Sequence, residues 1–533
     1  MRSVASSRAA RETTHDSGQT IARAASLHLD GKLDEALKEL HRARSRGEGS
    51  PEILAALAHI QFELAQYESC ADTYRDLLEI SPQHRAARFN LAVSLERLGR
   101  WKEAAEQFQS VAESDPGAAE AFSGLGICQL RMGQGAAALA SFEQCLRLVP
   151  EHETALAGKG CALYLERRYD QAAAALHTLL KRRPDSEEAL TNLIAIGVAT
   201  EDYEMVREHS EHLLSQRPQS AAALQGLAAW ALGTEDYALA ARFASRLVAI
   251  APDHFDGWMQ LAFAHQKSGE LGPAADAYTR AVALRPTSAP AHTNLGAVRQ
   301  EMGDLKRARE SYEQALKFDP SESAGRWNLA LLLDQAGQVH EAEKAFEALL
   351  AAEPDAIDAQ FRLGYLRLQS EDFASAAQSF EACLKGRPDW NDAAMNLALC
   401  YARQKRYDRA QEVYERELEK DPRFLDALRG LASLAIERAD NEQALEYHAR
   451  LVDLGERGPE VLYNTAVLFQ ESGRLDEATA MYQETLSEQP DFAEALLNLG
   501  HVLKQSGKEE EARICWSKAF VAKPELAQGY FGG

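Results

Sequence analysis

Residues 294–320 read NLGAVRQEMGDLKRARESYEQALKFDP. The pair Leu295-Gly296 opens the stretch, Ala308 stands between two arginines, and Pro320 closes it. The closing proline is one of a series: Pro82, Pro116, Pro150, Pro184, Pro218, Pro252, Pro286, Pro320, Pro354, Pro388 and Pro422, each 34 residues after the last. Glu456 stands where the next would fall, and the series resumes at Pro490 and Pro524. A fixed period of this length makes the repeat the unit of folding.

With that proline as position 32, fifteen units fit, from 17–50 and 51–84 to 493–526. Position 20 is Ala in thirteen of them, the exceptions being Cys70 and Val206, and position 8 is Ala or Gly in all but the unit holding Ile194. Position 24 is often aromatic, as at Tyr74, Phe108, Phe142, Tyr312, Phe346, Phe380, Tyr482 and Trp516. Apolar residues at positions 4, 7, 8 and 11 share one helical face, and those at 20, 24 and 27 share another. Position 15 is Gly in eight units, including Gly99, Gly303 and Gly507, which lets a first helix end in the left-handed conformation. Proline cannot continue the second helix and biases its predecessor away from helical angles. Each unit is therefore expected to be a helix, a tight turn, a second helix and a break, with small residues at 8 and 20 letting the helices nest.

These residues resemble the tetratricopeptide repeat (TPR) family in repeat length, in the Leu-Gly/Ala pair, and in the residues at positions 20, 24 and 32. The resemblance spans 17–526 and implies an all-α fold, a right-handed TPR solenoid of about fifteen helix-turn-helix repeats. Segments 1–16 and 527–533 are expected to be tails, the first disordered. Two irregularities stand out. In 187–220, Ile194 and Val206 enlarge both nesting positions, so a local bend is expected over 187–254. At 455–459, GERGP replaces the usual break, as a flexible seam or a re-phased turn.

Composition narrows the function. The formal net charge of −23 repels phosphate backbones, so no nucleic-acid partner is expected. Seven cysteines without a C-x-x-C pattern fit buried, reduced thiols and a cytoplasmic location. No apolar run is long enough for membrane insertion. There is no phosphate loop, H-E-x-x-H or G-x-S-x-G, and every stretch long enough for a catalytic domain is occupied by repeats. No catalytic residue, metal ligand or cofactor is therefore assigned. His209 and His212, at i and i+3 on a second helix, read as a solvated face.

If positions 4, 7, 8 and 11 pack, then 2, 5, 6, 9, 12 and 13 of the first helix face the other way. Position 6 is Asn at Asn90, Asn192, Asn294, Asn328, Asn396, Asn464 and Asn498. An amide offers one donor group and one acceptor, which suits pairing with peptide backbone. The row resembles the asparagine ladder in the superhelix of O-linked N-acetylglucosamine transferases, where it binds extended substrates, although their catalytic domain is absent here. Two readings stand side by side: ligand contact, or helix-to-helix bridging within the fold. Positions 5 and 9 add an apolar stripe, Trp327 with Leu331, Phe361 with Tyr365, Met395 with Leu399, and Tyr463 with Val467, preceded by Met259 with Phe263. Together they suggest a noncatalytic protein-protein interaction scaffold or adaptor that holds an extended peptide or helix in a concave groove. A self-assembling scaffold, joined through its ends as a homo-oligomer, and a regulatory or targeting subunit of a separate enzyme are the alternatives. The last repeat is expected to expose Leu499, Trp516 and Phe520.

Overall fold

The computed structural model describes residues 18–46 and 50–527. The tails expected at 1–16 and 527–533 lie, Ala527 excepted, outside the described residues. Every regular element among the described residues is a helix. The chain forms two compact units, Met1–Leu284 and Arg285–Gly533. Within each, helix pairs follow one another as a solenoid of stacked repeats. Arg85–Arg97 with Trp101–Ser114 in the first unit and Ala289–Glu301 with Leu305–Phe318 in the second show the common form.

The turn inside each repeat is left-handed at position 15 whatever residue stands there. Eight glycines occupy it, and so do Ala65, Arg167, Glu201, Glu235, Glu371, Lys405 and Ala439, with φ of 56° to 60°. The geometry satisfies the orphan carbonyls at the helix end. Gly99 N donates to Glu96 O, and Arg100 N to Leu95 O, both at 2.9 Å. At the repeat's far end, the residue before proline is extended, as at Asp115 (φ −142°) and Asp319 (φ −132°).

Position 20 is fully buried, from Ala36 to Ala512. It lies against the backbone of position 8: Cys70 Sγ is 3.1 Å from Ala58 O and 3.2 Å from Ser94 Oγ of the next repeat. Position 8 is small for a second reason. A Cβ on Gly126 would come within 2.7 Å of the Phe142 ring of its own repeat, and one on Gly158, at position 6 of the next, within 2.3 Å of the same ring. The position-24 ring is thus gripped from both sides, and cutting such a ring to Ala would cost about 3–5 kcal/mol. Position 3 is also small and buried, at Ala87, Ala121, Ala155, Ala189, Ala223 and onward.

Beside the enlarged residues of 187–220 stand two glycines. A Cβ on Gly197 would lie 2.8 Å from Val206 Cγ2, and one on Gly226 would lie 2.6 Å from Ile194 Cγ2. At the seam, helix Asn441–Asp453 ends on Gly455 (φ 95°), Glu456 N donates to Leu451 O at 3.0 Å, and Pro459 takes the first position of Pro459–Glu471. A glycine stop followed by a proline start replaces the usual proline stop there.

Three expectations need comment. Leu499 and Trp516 are covered, at 4% and 8% exposure, and Phe520 is half-buried, so the last helix instead exposes Ile514 and Val521. His209 is not on a solvated face: it is buried with its ring 5.5 Å from that of His177, and burial lowers its pKa. His212 is turned away from it onto Asp185, 3.1 Å away. All seven cysteines are free, and five are buried. Burial pushes the Cys128, Cys383 and Cys400 thiols up to about 12 and that of Cys145 to about 11. No helix among the described residues is long and apolar enough to cross a membrane.

Candidate functional site

The first helices of the second unit carry most of the candidate residues. Repeat geometry gathers several of them into one cavity of about 540 Å³. Ile357–Gln369 contributes Phe361, Arg362 and Tyr365, and Asn391–Arg403 contributes Asp392, Met395, Asn396 and Leu399. Tyr414 and Asp426 complete it. The lining residues of the two first helices occupy positions 2, 5, 6 and 9, the face left over once the packing positions are removed. Tyr365 and Leu399 are the exposed apolar residues of this wall, at 41% and 36%. Asp426 is held by Arg429 at 2.8 Å, whereas Asp392 and Arg362 form no ion pair among the described residues.

The asparagine row divides. Asn90 Nδ2 donates to the Tyr74 hydroxyl at 3.1 Å, Asn192 Nδ2 approaches Cys161 Sγ at 3.2 Å, and Asn498 Nδ2 donates to the Tyr463 hydroxyl at 3.0 Å. These three bridge consecutive repeats. Asn294, Asn328, Asn396 and Asn464 form no side-chain hydrogen bond to any described residue, and all four lie in the second unit. Asn464 lines a separate cavity of about 620 Å³ beside the seam, with Arg429, Glu456 and His448. Asn192 lines one of about 580 Å³ in the first unit, whose wall is aliphatic at Ile127, Leu130 and Leu165.

The aromatic stripe divides as well. Trp327, Phe361 and Tyr463, all at position 5, meet the position-24 rings of their own repeats. The centroid distances are 5.8 Å to Phe346, 5.6 Å to Phe380 and 6.0 Å to Tyr482. Phe361 also stacks on Trp390 at 4.4 Å, and Tyr463 packs on Phe492 at 5.0 Å. Their inner faces are engaged in packing, and position 9 supplies the more open contact surface. Asp392, Asp426 and Tyr414 were not singled out from sequence. The two acids sit at position 2 of successive repeats, on the predicted face, but acids in a first helical turn are ordinary dipole partners and drew no notice.

Family models described as tetratricopeptide repeat match residues 55–119, 259–323, 293–357, 328–389, 361–423 and 406–460, and a second set so described matches 129–197 and 469–517. No curated protein matches the sequence significantly. Among solved structures, the chain is similar to a tetratricopeptide repeat protein from Parabacteroides merdae, with 17% identity over 47% of this chain and 99% of that one, and a TM-score of 0.40. It is also similar to a chain of the APC/C hetero-tetramer Cut9-Hcn1, with 15% identity over 79% and 90% of the two chains and a TM-score of 0.34. A chain of Naa15/Naa10 bound to HypK-THB gives 13% identity over 96% and 94%, with a TM-score of 0.34. With family matches over more than half of its length and the repeat geometry described above, this chain belongs to the tetratricopeptide repeat family.

Proposed function

We propose that the second unit is a noncatalytic adaptor surface that binds an extended peptide along positions 2, 5, 6 and 9 of its first helices. Tetratricopeptide repeats serve in general as protein-protein interaction scaffolds, which fits a chain built of them. The observation that carries the finer reading is the cavity of about 540 Å³ in which Asn396, with an uncommitted amide, stands beside Tyr365, Met395 and Leu399. An amide there can pair with both backbone groups of a peptide, and the apolar residues can cover alternate side chains. The unpaired Asp392 and Arg362 suit a peptide carrying charges of both signs. Each hydrogen bond is worth about 0.5–1.5 kcal/mol net. Several with apolar burial reach the roughly −8 kcal/mol of micromolar binding.

Panning a random-peptide display library against the full chain, followed by fluorescence anisotropy of enriched peptides, tests the proposal. Asn328→Ala with Asn396→Ala should weaken those peptides by at least about tenfold, the worth of one or two hydrogen bonds, with the melting temperature unchanged. Intact affinity in a destabilised double variant would assign both asparagines to structure.

A further inference from the structure

At the other end of the chain, a side-chain cluster outside these cavities has the makings of a metal site. His28 lies on the helix 18–29, and His59 and Glu63 lie on Pro51–Glu63, the first helix of the next repeat. His59 and Glu63 are four residues apart, so one helical face presents both. In the repeat register His28 is at position 12, His59 at 9 and Glu63 at 13, all outside the packing set. The consecutive first helices bring them together. His28 Nε2 is 2.9 Å from Glu63 Oε2, His59 Nε2 is 3.2 Å from Glu63 Oε1, and the two imidazole rings meet edge to face at 5.5 Å. One ligand atom from each residue lies within 4.8 Å of the others. Glu63 has no Lys or Arg partner among the described residues: its two oxygens are shared between the two imidazoles.

We propose that His28, His59 and Glu63 bind one divalent transition-metal ion, with zinc the best fit, and that the ion ties the first two repeats together. Two imidazoles and a carboxylate are borderline ligands suited to zinc, whereas calcium and magnesium require more oxygen atoms than this set offers. Tetrahedral zinc with bonds of about 2.0–2.2 Å sets its ligand atoms about 3.3 Å apart. The two histidine-to-carboxylate distances run to different oxygens of Glu63, so the exposed imidazoles turn onto one of them to reach that spacing. Three protein ligands leave one position for water. The site is solvent-facing, with the His59 side chain 59% exposed. Bare of metal, the cluster is a set of solvent-facing polar contacts, which contributes little to stability.

The test is calorimetric titration of zinc chloride into the chelator-treated full chain, near neutral pH. The wild type should bind one equivalent that is absent from His28→Ala/His59→Ala, and Glu63→Gln should weaken it at least about tenfold, as expected for loss of one ligand. All three residues are at the surface, so matching melting curves in chelator will show that the variants fold. An equivalent that persists in the double variant would belong to other residues and overturn the proposal, as would a wild type that binds no more zinc than the double variant.

Discussion

Position 6 is used in opposite ways by two stretches of the same fold. Over 119–254 it holds Gly124, Gly158 and Gly226 beside the single Asn192, and over 289–492 it holds Asn294, Asn328, Asn396 and Asn464 beside Arg362 and Gly430. The glycines are there because the preceding repeat leaves no room. A Cβ would come within 2.6 Å of Phe108, 2.3 Å of Phe142 and 2.3 Å of Ser210 Oγ, respectively. Asn294, Asn328, Asn396 and Asn464 carry an amide that forms no hydrogen bond to any described residue. The comparison teaches that one repeat position can close the wall or furnish it, and that the ring before it does not decide alone, since Phe142 precedes Gly158 and Phe380 precedes Asn396.

Forcing asparagine into the closed wall should have the largest effect. Gly158→Asn should lower stability by about 1–3 kcal/mol through overpacking against Phe142, read as a drop in the urea midpoint. Phe142→Leu added to it should recover part of the loss, because Asn192 is accommodated behind Leu176. A Gly158→Asn variant as stable as the wild type would break the comparison. Next comes Asn90→Ala, which removes the hydrogen bond to Tyr74 and should cost about 0.5–1.5 kcal/mol. Asn328→Ala should leave the urea midpoint where it was. Equal losses would erase the distinction between bridging and free asparagines.

The turns should not distinguish the stretches at all. Glu235 and Glu371 both hold φ of 60°, one in each unit. Replacing either with Gly should raise stability by a similar increment of at most about 1 kcal/mol, the strain relieved less the entropy glycine loses. The smallest effect is a pH dependence. His448 fills the position-24 slot at 6% exposure, and burial lowers its pKa below the usual 6.5. The unfolded chain then binds more protons, so this contribution is complete above that value and is lost as pH falls toward the lowered one. His209 in the first unit carries the same sign. In thermal melts on moving from neutral to mildly acidic pH, His448→Phe should retain more stability than the wild type.

How much of this was legible in the sequence depends on whether a contact stays inside the repeat's period. Helix limits, left-handed turns, proline stops and the burial of position 20 all recur every 34 residues and were readable. The role of position 3 escaped because alanine there passes for a plain helix former. The split in the asparagine row could not be read at position 6, since the bridging partners lie on other helices at different separations, Tyr74 for Asn90, Cys161 for Asn192 and Tyr463 for Asn498. The packing side of the stripe was not legible at Trp327, Phe361 and Tyr463, whose ring neighbours lie on the facing helix. The histidine cluster joins two repeats that differ from their fellows at those positions, so no periodic signal marks it.

The buried thiols described above are distributed in a useful way. Cys70, Cys128, Cys145, Cys383 and Cys400 lie in four different repeats, and none reacts while its repeat stays closed. An alkylating reagent followed by peptide mass mapping would therefore time-stamp the opening of each of those four repeats separately. The molecule carries its own clocks, and the order in which they stop would reveal where a stack without a central core begins to come apart.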